Sequence, residues 1–203
     1  MGKKVNHKVI VRLAENNANK RLTEHIVWLL AREPGVNTRP LVYLCIGSDR
    51  YTGDALGPLV GSYLEEHGVG NIYGSLDNPV HAGNLVDTID EIAKKYNNPL
   101  IIAVDACLGK LGEVGNVEAW SGGIEAGIAV GNRLPCVGDV AVIGVVNTGG
   151  QMGYLDLHST PLSIVVKLSK VISISLLAVH KCLRSSDAAA CFAVPNGEII
   201  RPT

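Results

Sequence analysis

The stretch Leu41-Val42-Tyr43-Leu44-Cys45-Ile46-Gly47-Ser48-Asp49-Arg50-Tyr51-Thr52-Gly53-Asp54-Ala55-Leu56-Gly57-Pro58 decides the fold class. Its first six residues are apolar without alternation, as expected of a strand buried on both faces. Gly47 halts the run, a polar loop follows, and residues 55–67 resume apolar positions at helical spacing. A buried strand, a loop and a helix in that order make one unit of a parallel sheet covered by helices.

The pattern recurs along the chain. Upstream, residues 17–33 place Leu22, Ile26, Leu29 and Leu30 on one helical face, and Pro34-Gly35 stop the helix. Downstream, residues 71–75 read as a weak short strand, and residues 84–96 as a helix with Leu85, Ile89 and Ile92 aligned. Residues 100–104 are a second strong buried strand, ending on Asp105, and residues 140–146 a third. Residues 115–120 form a poorer strand, reached by a link too short for a crossover helix, so its direction should oppose the others. Residues 162–183 predict a closing helix, and the last twenty residues a tail laid on the surface. The expectation is one α/β/α domain over residues 1–203, with its core at about 22–183.

Composition narrows the function classes. A chain of 203 residues, 47% apolar, can bury one sizeable core. Its net charge of -1 carries no electrostatic footprint for direct nucleic-acid binding or for an anionic membrane surface. Three lysines within residues 1–8 are followed by no apolar core of a signal peptide. The apolar segment 162–183 is interrupted by Lys167 and Lys170, which leaves too short a run to span a bilayer and predicts a buried helix. Cys45, Cys107, Cys136, Cys182 and Cys191 are scattered and form no C-x-x-C pair. That pattern fits reduced, mostly buried thiols in a cytoplasm and is poor for zinc.

In open parallel sheets, ligands bind beyond the carboxyl ends of the strands where the winding reverses. If the strands at 41–46 and 100–104 are neighbours, the crevice lies between them and each lining loop carries an acid, Asp54 and Asp105. Alone, Asp54 reads as a helix N-cap and Asp105 as a turn residue. As a pair they read differently. Two carboxylates held close cannot both ionise easily, so one becomes an acid beside an ionised base. Such a pair can activate a water and protonate a leaving amine. It can equally hold a divalent metal, which would acidify a bound water.

Other residues are weaker candidates. The loop is not G-x-G-x-x-G and has no phosphate-loop lysine, so a nucleotide cofactor has little support and none is expected. Gly53 and Gly57 let an extended substrate come close on either side of Asp54. Asp49-Arg50 reads as a solvated pair or as a clamp on the substrate. Asn147 and Thr148, with Gly149, end a strong strand and are placed to orient a substrate by hydrogen bonds. His158 precedes Ser159-Thr160-Pro161 at the start of the last helix, as a structural residue or as a catalytic or metal-binding one. His81 lies in a loop within reach of the crevice and ranks below His158, and Cys107 reads as an ordinary buried thiol. Residues 120–131 form a glycine-rich connection suited to a lid or a peptide-binding ledge.

The run Thr52-Gly53-Asp54-Ala55-Leu56-Gly57-Pro58 resembles the acidic loop of the spore germination protease. Ile101-Ile102-Ala103-Val104-Asp105-Ala106 is similar to the strand carrying that family's second essential Asp. Asn132-Arg133-Leu134-Pro135 with Val140 to Val145 resembles its glycine-rich loop and following strand. Over residues 22–183 the chain also resembles the YyaC group of sporulation proteins. Gly53 departs from the protease, which has proline there.

The resemblance implies an aspartate-dependent endopeptidase using Asp54 and Asp105 on a protein or peptide, in the cytoplasm of a sporulating cell or spore. The wider fold family, phosphorylase/hydrolase-like, includes the hydrogenase maturation endopeptidases. It implies a mostly parallel five-stranded sheet of order 2-1-3-5-4 with strand 4 antiparallel. Two other readings suit the same scaffold: a binding protein that holds a peptide without cutting it, and a metal-dependent amide hydrolase. A homo-oligomer is compatible with all of these.

Overall fold

The computed structural model describes residues 7–125, 135–150 and 153–184. In chain order the elements are β1 (Val9–Arg12), α1 (Ala18–Leu30), β2 (Leu41–Cys45), α2 (Leu56–Glu66), β3 (Ile72–Tyr73), α3 (Leu85–Lys95) and β4 (Leu100–Gly109). Then come β5 (Asn116–Ser121), β6 (Ile124–Glu125), β7 (Cys136–Val137), β8 (Val140–Thr148), α4 (Gly153–His158) and α5 (Leu162–Arg184). The main sheet runs β1-β5-β8-β4-β2-β3. β3, β2, β4 and β8 pair in parallel, and β5 is antiparallel to both β8 and β1.

The strand order expected from the resemblance is therefore present, with one strand added. The sheet has six strands rather than five, because Val9–Arg12 pairs with β5 at the edge. Four residues of mixed polarity carry little strand signal of their own, and the antiparallel pairing to β5 supplies what local propensity lacks.

Alternation of side chains lets one strand serve two cores. Tyr43 and Cys45 of β2 join Ile102, Val104 and Val142 beneath α1, α2 and α5. Val42 and Leu44 point the other way, to Leu85 and Ile92 of α3. A smaller cluster of Ala103, Ile124 and Ala141 lies under the β6–β7 ribbon. α5 is by length and composition apolar enough to cross a membrane, although Lys167 and Lys170 interrupt its apolar run. In this structure it packs on α1, α2 and β8, burying Val165, Leu168, Ile172 and Leu176.

At the amino ends of the strands one ion pair ties three of them together. Arg39 sits just before β2 and donates to both Asp139 oxygens at 3.0 and 2.9 Å and to the Pro99 carbonyl at 2.6 Å. Asp139, just before β8, accepts the Ile101 amide of β4 at 2.8 Å. Paired and hydrogen-bonded on several sides, these charges hold the register rather than simply adding stability.

Cys45 and Cys107 are free thiols, Cys136 is exposed, and Cys182 is disulfide-bonded. The expectation of reduced cysteines thus fails at Cys182, since spacing alone carries no pairing signal, while Cys136 is free but exposed rather than buried. The surface tail expected after residue 183, from residue 185 on, the residues 132–134 of the matched loop and half of the lid segment, residues 126–131, lie outside the described residues.

The close approach of α2 to the end of β2 depends on Gly57, where any Cβ would overlap the Ile46 carbonyl oxygen. Gly57→Ala should cost about 3 kcal/mol in urea unfolding. Gly112→Ala, where a Cβ would meet nothing within 4 Å, should stay within about 0.5 kcal/mol of the parent.

Candidate active site

The loop after β2 folds back so that its acid returns to the strand end. Gly47 has φ +142, and any side chain there would overlap the Asp54 carbonyl. The Gly47 amide donates to Val80 at 2.7 Å, the Ser48 amide to the Asp54 carbonyl at 3.1 Å, and the Asp54 amide to Tyr51 at 3.0 Å. Asp54 thus lies in a 3-10 turn, Thr52–Ala55, that leads directly into α2. Ala55 stands at the α2 N-cap position and no side chain caps the helix, so the Asp54 carboxyl is not spent there.

Asp105 is not a turn residue. β4 continues past it to Gly109, four residues beyond the expected turn residue, because β8 offers partners as far as Thr148. Asp105 pairs with Ile143 inside the sheet, is 9% exposed, and its Oδ1 accepts the Ala106 amide at 2.7 Å. Its side chain falls on the face opposite Val104, away from the large core.

The two carboxyls sense each other. Burial raises the Asp105 pKa well above the ordinary carboxylate range, and the nearby Asp54 charge raises it further, against the Ala106 amide. Asp54 is raised to about 6, by burial, against the Ser48 amide and the charge of His81. Near neutral pH one carboxyl is therefore protonated beside one that is ionised. That is the protonation state a general acid and a general base require.

The remaining candidates are placed as follows. Asn147 has its side chain committed within the chain. Its Nδ2 donates to the Asp156 carbonyl at 2.9 Å and to Thr160 Oγ1 at 3.3 Å, and its Oδ1 accepts the Thr148 amide at 2.8 Å. It clamps α4 onto the end of β8, while Thr148 pairs opposite Gly109 in the sheet. Gly53 is buried, and a Cβ there would lie 2.8 Å from Thr160 Oγ1 and 2.9 Å from Leu157 Cδ2. Its small size admits α4 against the acidic turn. Asp49 and Arg50 are exposed at the loop tip.

His158 closes α4, a short helix separate from α5, and its exposed ring sits 6.1 Å from that of Tyr51. It is not at the start of the last helix, as expected, because residues 153–158 are too few to show a period. His81 follows Val80 in the loop that bridges to Ile46 beyond β2, and it is the smallest of the influences on the Asp54 pKa, which it lowers. Cys107 stays protonated, its thiol pushed up to about 12 by burial and by the nearby acids Glu118 and Asp105. Glu118 had no signal in the sequence. It is buried on β5 and paired with Lys8. Among the described residues, no three His, Cys, Asp or Glu side chains come together as a metal-ligand set.

Residues 10–175 match the family described as "Protein of unknown function (DUF1256)". The chain belongs to that family. Asp54, His81, Asp105, Asn147 and His158 all fall within the matched span. The uncharacterized protein YyaC of Bacillus subtilis (strain 168) is 44% identical over 137 residues, covering 66% of this chain and 67% of that protein. Among solved structures, a [NiFe] hydrogenase maturation protease, HycI from Thermococcus kodakarensis KOD1, is similar with TM-score 0.48 and 20% identity. The similarity covers 70% of this chain and 92% of that one.

A buried acid with a raised pKa weakens the fold as pH rises from its unfolded value toward its folded one, because the native state holds the extra proton. Asp105→Asn should therefore melt several degrees higher than the parent at pH 8. The gap should shrink as the pH falls toward the ordinary value of 3.8. Thermal melts across that range check it, and a gap independent of pH would mean that Asp105 is not held protonated.

Proposed function

We propose that this protein is a peptidase-type amide hydrolase in which Asp54 activates water and Asp105 protonates the leaving nitrogen. The observation that carries the reading is the pair of neighbouring carboxyls of Asp54, in the turn after β2, and Asp105, within β4 just past the level where β2 ends. One is raised to about 6 and the other much further. Their unequal burial supports a division of labour that the sequence left open. The less buried acid is the base, and the acid enclosed in the strand is the proton donor.

In the proposed reaction, a water between the two loses a proton to the Asp54 carboxylate as its oxygen adds to the substrate carbonyl. The C–N bond of the tetrahedral intermediate then breaks as nitrogen takes the Asp105 proton. Asp54 ends protonated and Asp105 ionised, and exchange with solvent restores the starting state. The likeness of Asp54-Ala55-Leu56-Gly57-Pro58 to the acidic loop of the germination protease supports a peptide bond as the target. It also supports a protein substrate made during sporulation and a cytoplasmic setting in the sporulating cell or spore.

Purified parent protein, Asp54→Asn and Asp105→Asn should be incubated with proteins extracted from spores, and the products read by mass spectrometry. New termini should appear with the parent only, and each variant should lose about 10²–10⁴-fold in rate. Cutting by both variants would overturn the pair. Peptide retention without cutting by any form would favour a peptide-holding role, and cutting abolished by a chelator would point to a metal on the two carboxylates. With a cleaved peptide in hand, the rate should rise as pH passes through about 6, where Asp54 ionises, and fall where Asp105 loses its proton.

A further inference from the structure

The helix that walls one side of the acidic turn is held from behind by β8. Asn147, near the end of that strand, has both amide hydrogens and its oxygen committed. Its Nδ2 donates to the Asp156 carbonyl at 2.9 Å and to Thr160 Oγ1 at 3.3 Å, and its Oδ1 accepts the Thr148 amide at 2.8 Å. The Thr160 hydroxyl donates to the same Asp156 carbonyl at 2.7 Å. The Asp156 carboxyl adds a further tie by accepting the Gly150 amide at 2.7 Å. Carbonyl, hydroxyl and carboxyl thus fasten α4 to the end of β8 at one place.

The other side of this knot rests on the turn that carries Asp54. Leu157 and Thr160 are both buried. A Cβ on Gly53 would lie 2.8 Å from Thr160 Oγ1, 2.9 Å from Leu157 Cδ2 and 3.0 Å from the Leu157 carbonyl oxygen. The hydroxyl that Asn147 grips is therefore the one against which the residue before Asp54 packs. The turn's own hydrogen bonds, from the Asp54 amide to Tyr51 and from the Ser48 amide to Asp54, shape its backbone. They do not cover it, and at Gly53 that is done by α4 and Thr160.

We propose that Asn147 is a positioning residue for Asp54, acting through Thr160 and α4 to keep the acidic turn in place and closed to water. The inference rests on the proposed hydrolytic role of the pair and concerns how its base is held. Burial is the chief influence on Asp54 and the one that raises its pKa. A wall that loosens admits water to the carboxylate, which favours the charged form and returns the pKa toward 3.8. A base of lower pKa takes a proton less readily, and a turn free to shift holds it less well aimed.

Exchanging Asn147 or Thr160 for an uncharged residue adds no charge and removes none, so a change at Asp54 reads its enclosure. Asp105 on β4 and His81 in the loop after β3 stay where they are. Asp49 and Arg50 are exposed in the loop of Asp54 itself. On α4, the Asp156 carboxyl is taken by the Gly150 amide, and His158 is exposed against Tyr51. Glu65 and Glu66 lie exposed at the far end of α2, and Lys167, the first charge of α5, is exposed a turn beyond its start.

The test separates this inference from the proposed reaction by reading Asp54 directly. The carboxyl carbons of 13C-labelled full-length protein are titrated by NMR, with Asp54 assigned from Asp54→Asn. In Asn147→Ala and in Thr160→Val the Asp54 midpoint should fall by about half a pH unit or more, whether or not the protein cuts anything. Thr160→Ser, which keeps the hydroxyl, should hold the parent's midpoint. Ile92→Ala, a cavity in the separate core beneath α3, weakens the fold without touching α4 and should leave Asp54 unmoved. Where cleavage is observed, the acid limb of its pH profile should move down with the Asp54 midpoint. A midpoint unchanged in Thr160→Val and Asn147→Ala, with the fold intact by NMR, overturns the inference, and so does an equal fall in Ile92→Ala. Thr160→Val alone decides if Asn147→Ala does not fold. A fall in the Asp54 midpoint together with undiminished cutting by Asp54→Asn leaves the positioning in place and removes the hydrolytic reading instead.

Discussion

The parallel pairing of β2 with β4, from Leu41 opposite Leu100 to Cys45 opposite Val104, is the constraint on which the rest of the site depends. It brings the end of β2 beside Asp105 of β4 on one rim, with β3 lying outside β2 and β8 outside β4. The chain leaves that rim in opposite directions, which opens the crevice between the loops. Its register matters as much as its existence. A slip of one residue would turn Asp105 into the large core and bring Val104 to its place. The Arg39–Asp139 clasp guards against that slip from the opposite ends of the strands, since it bonds the segments entering β2, β4 and β8 at once.

Placing a carboxyl inside a strand works against stability, and the structure offers it little relief. Asp105 receives one amide from its own neighbour and faces a second acid. A group kept in so unfavourable a setting has a fold-weakening charge and a chemistry that depends on it. Asp54 sits in a milder setting, less enclosed and accompanied by Ser48 and His81. The difference between the two environments, rather than either acid alone, is what the site can use. Around it, α4 forms one wall, anchored by Asn147 and seated on Gly53.

The main strands were legible because β2, β4 and β8 are apolar without alternation, which few structures other than a sheet buried on both faces accommodate. The reversed direction of β5 followed from the length of its link. β1 was not legible, since Val9–Arg12 alternates weakly at a polar start and acquires its strand state from β5. The extension of β4 beyond Asp105 was equally hidden. Residues 105–109 mix acid, small and apolar types, and the reach of β8 as far as Thr148 decides their conformation. Both acids stood out in the sequence by their place after strong strands, whereas neither His81 nor His158 carried a comparable signal.

By itself the sequence determined which segments are buried, the order in which strand and helix alternate, and that two loops carry an acid. Those properties are local, written in the spacing of apolar residues and in where glycine interrupts them. The tertiary structure decided the rest: that Asp105 lies within a strand, that Asn147 is committed to α4, and that Asp54 and Asp105 are buried to different degrees. These depend on which groups meet across the fold and how much water remains between them, and neither is encoded in the spacing of a single segment.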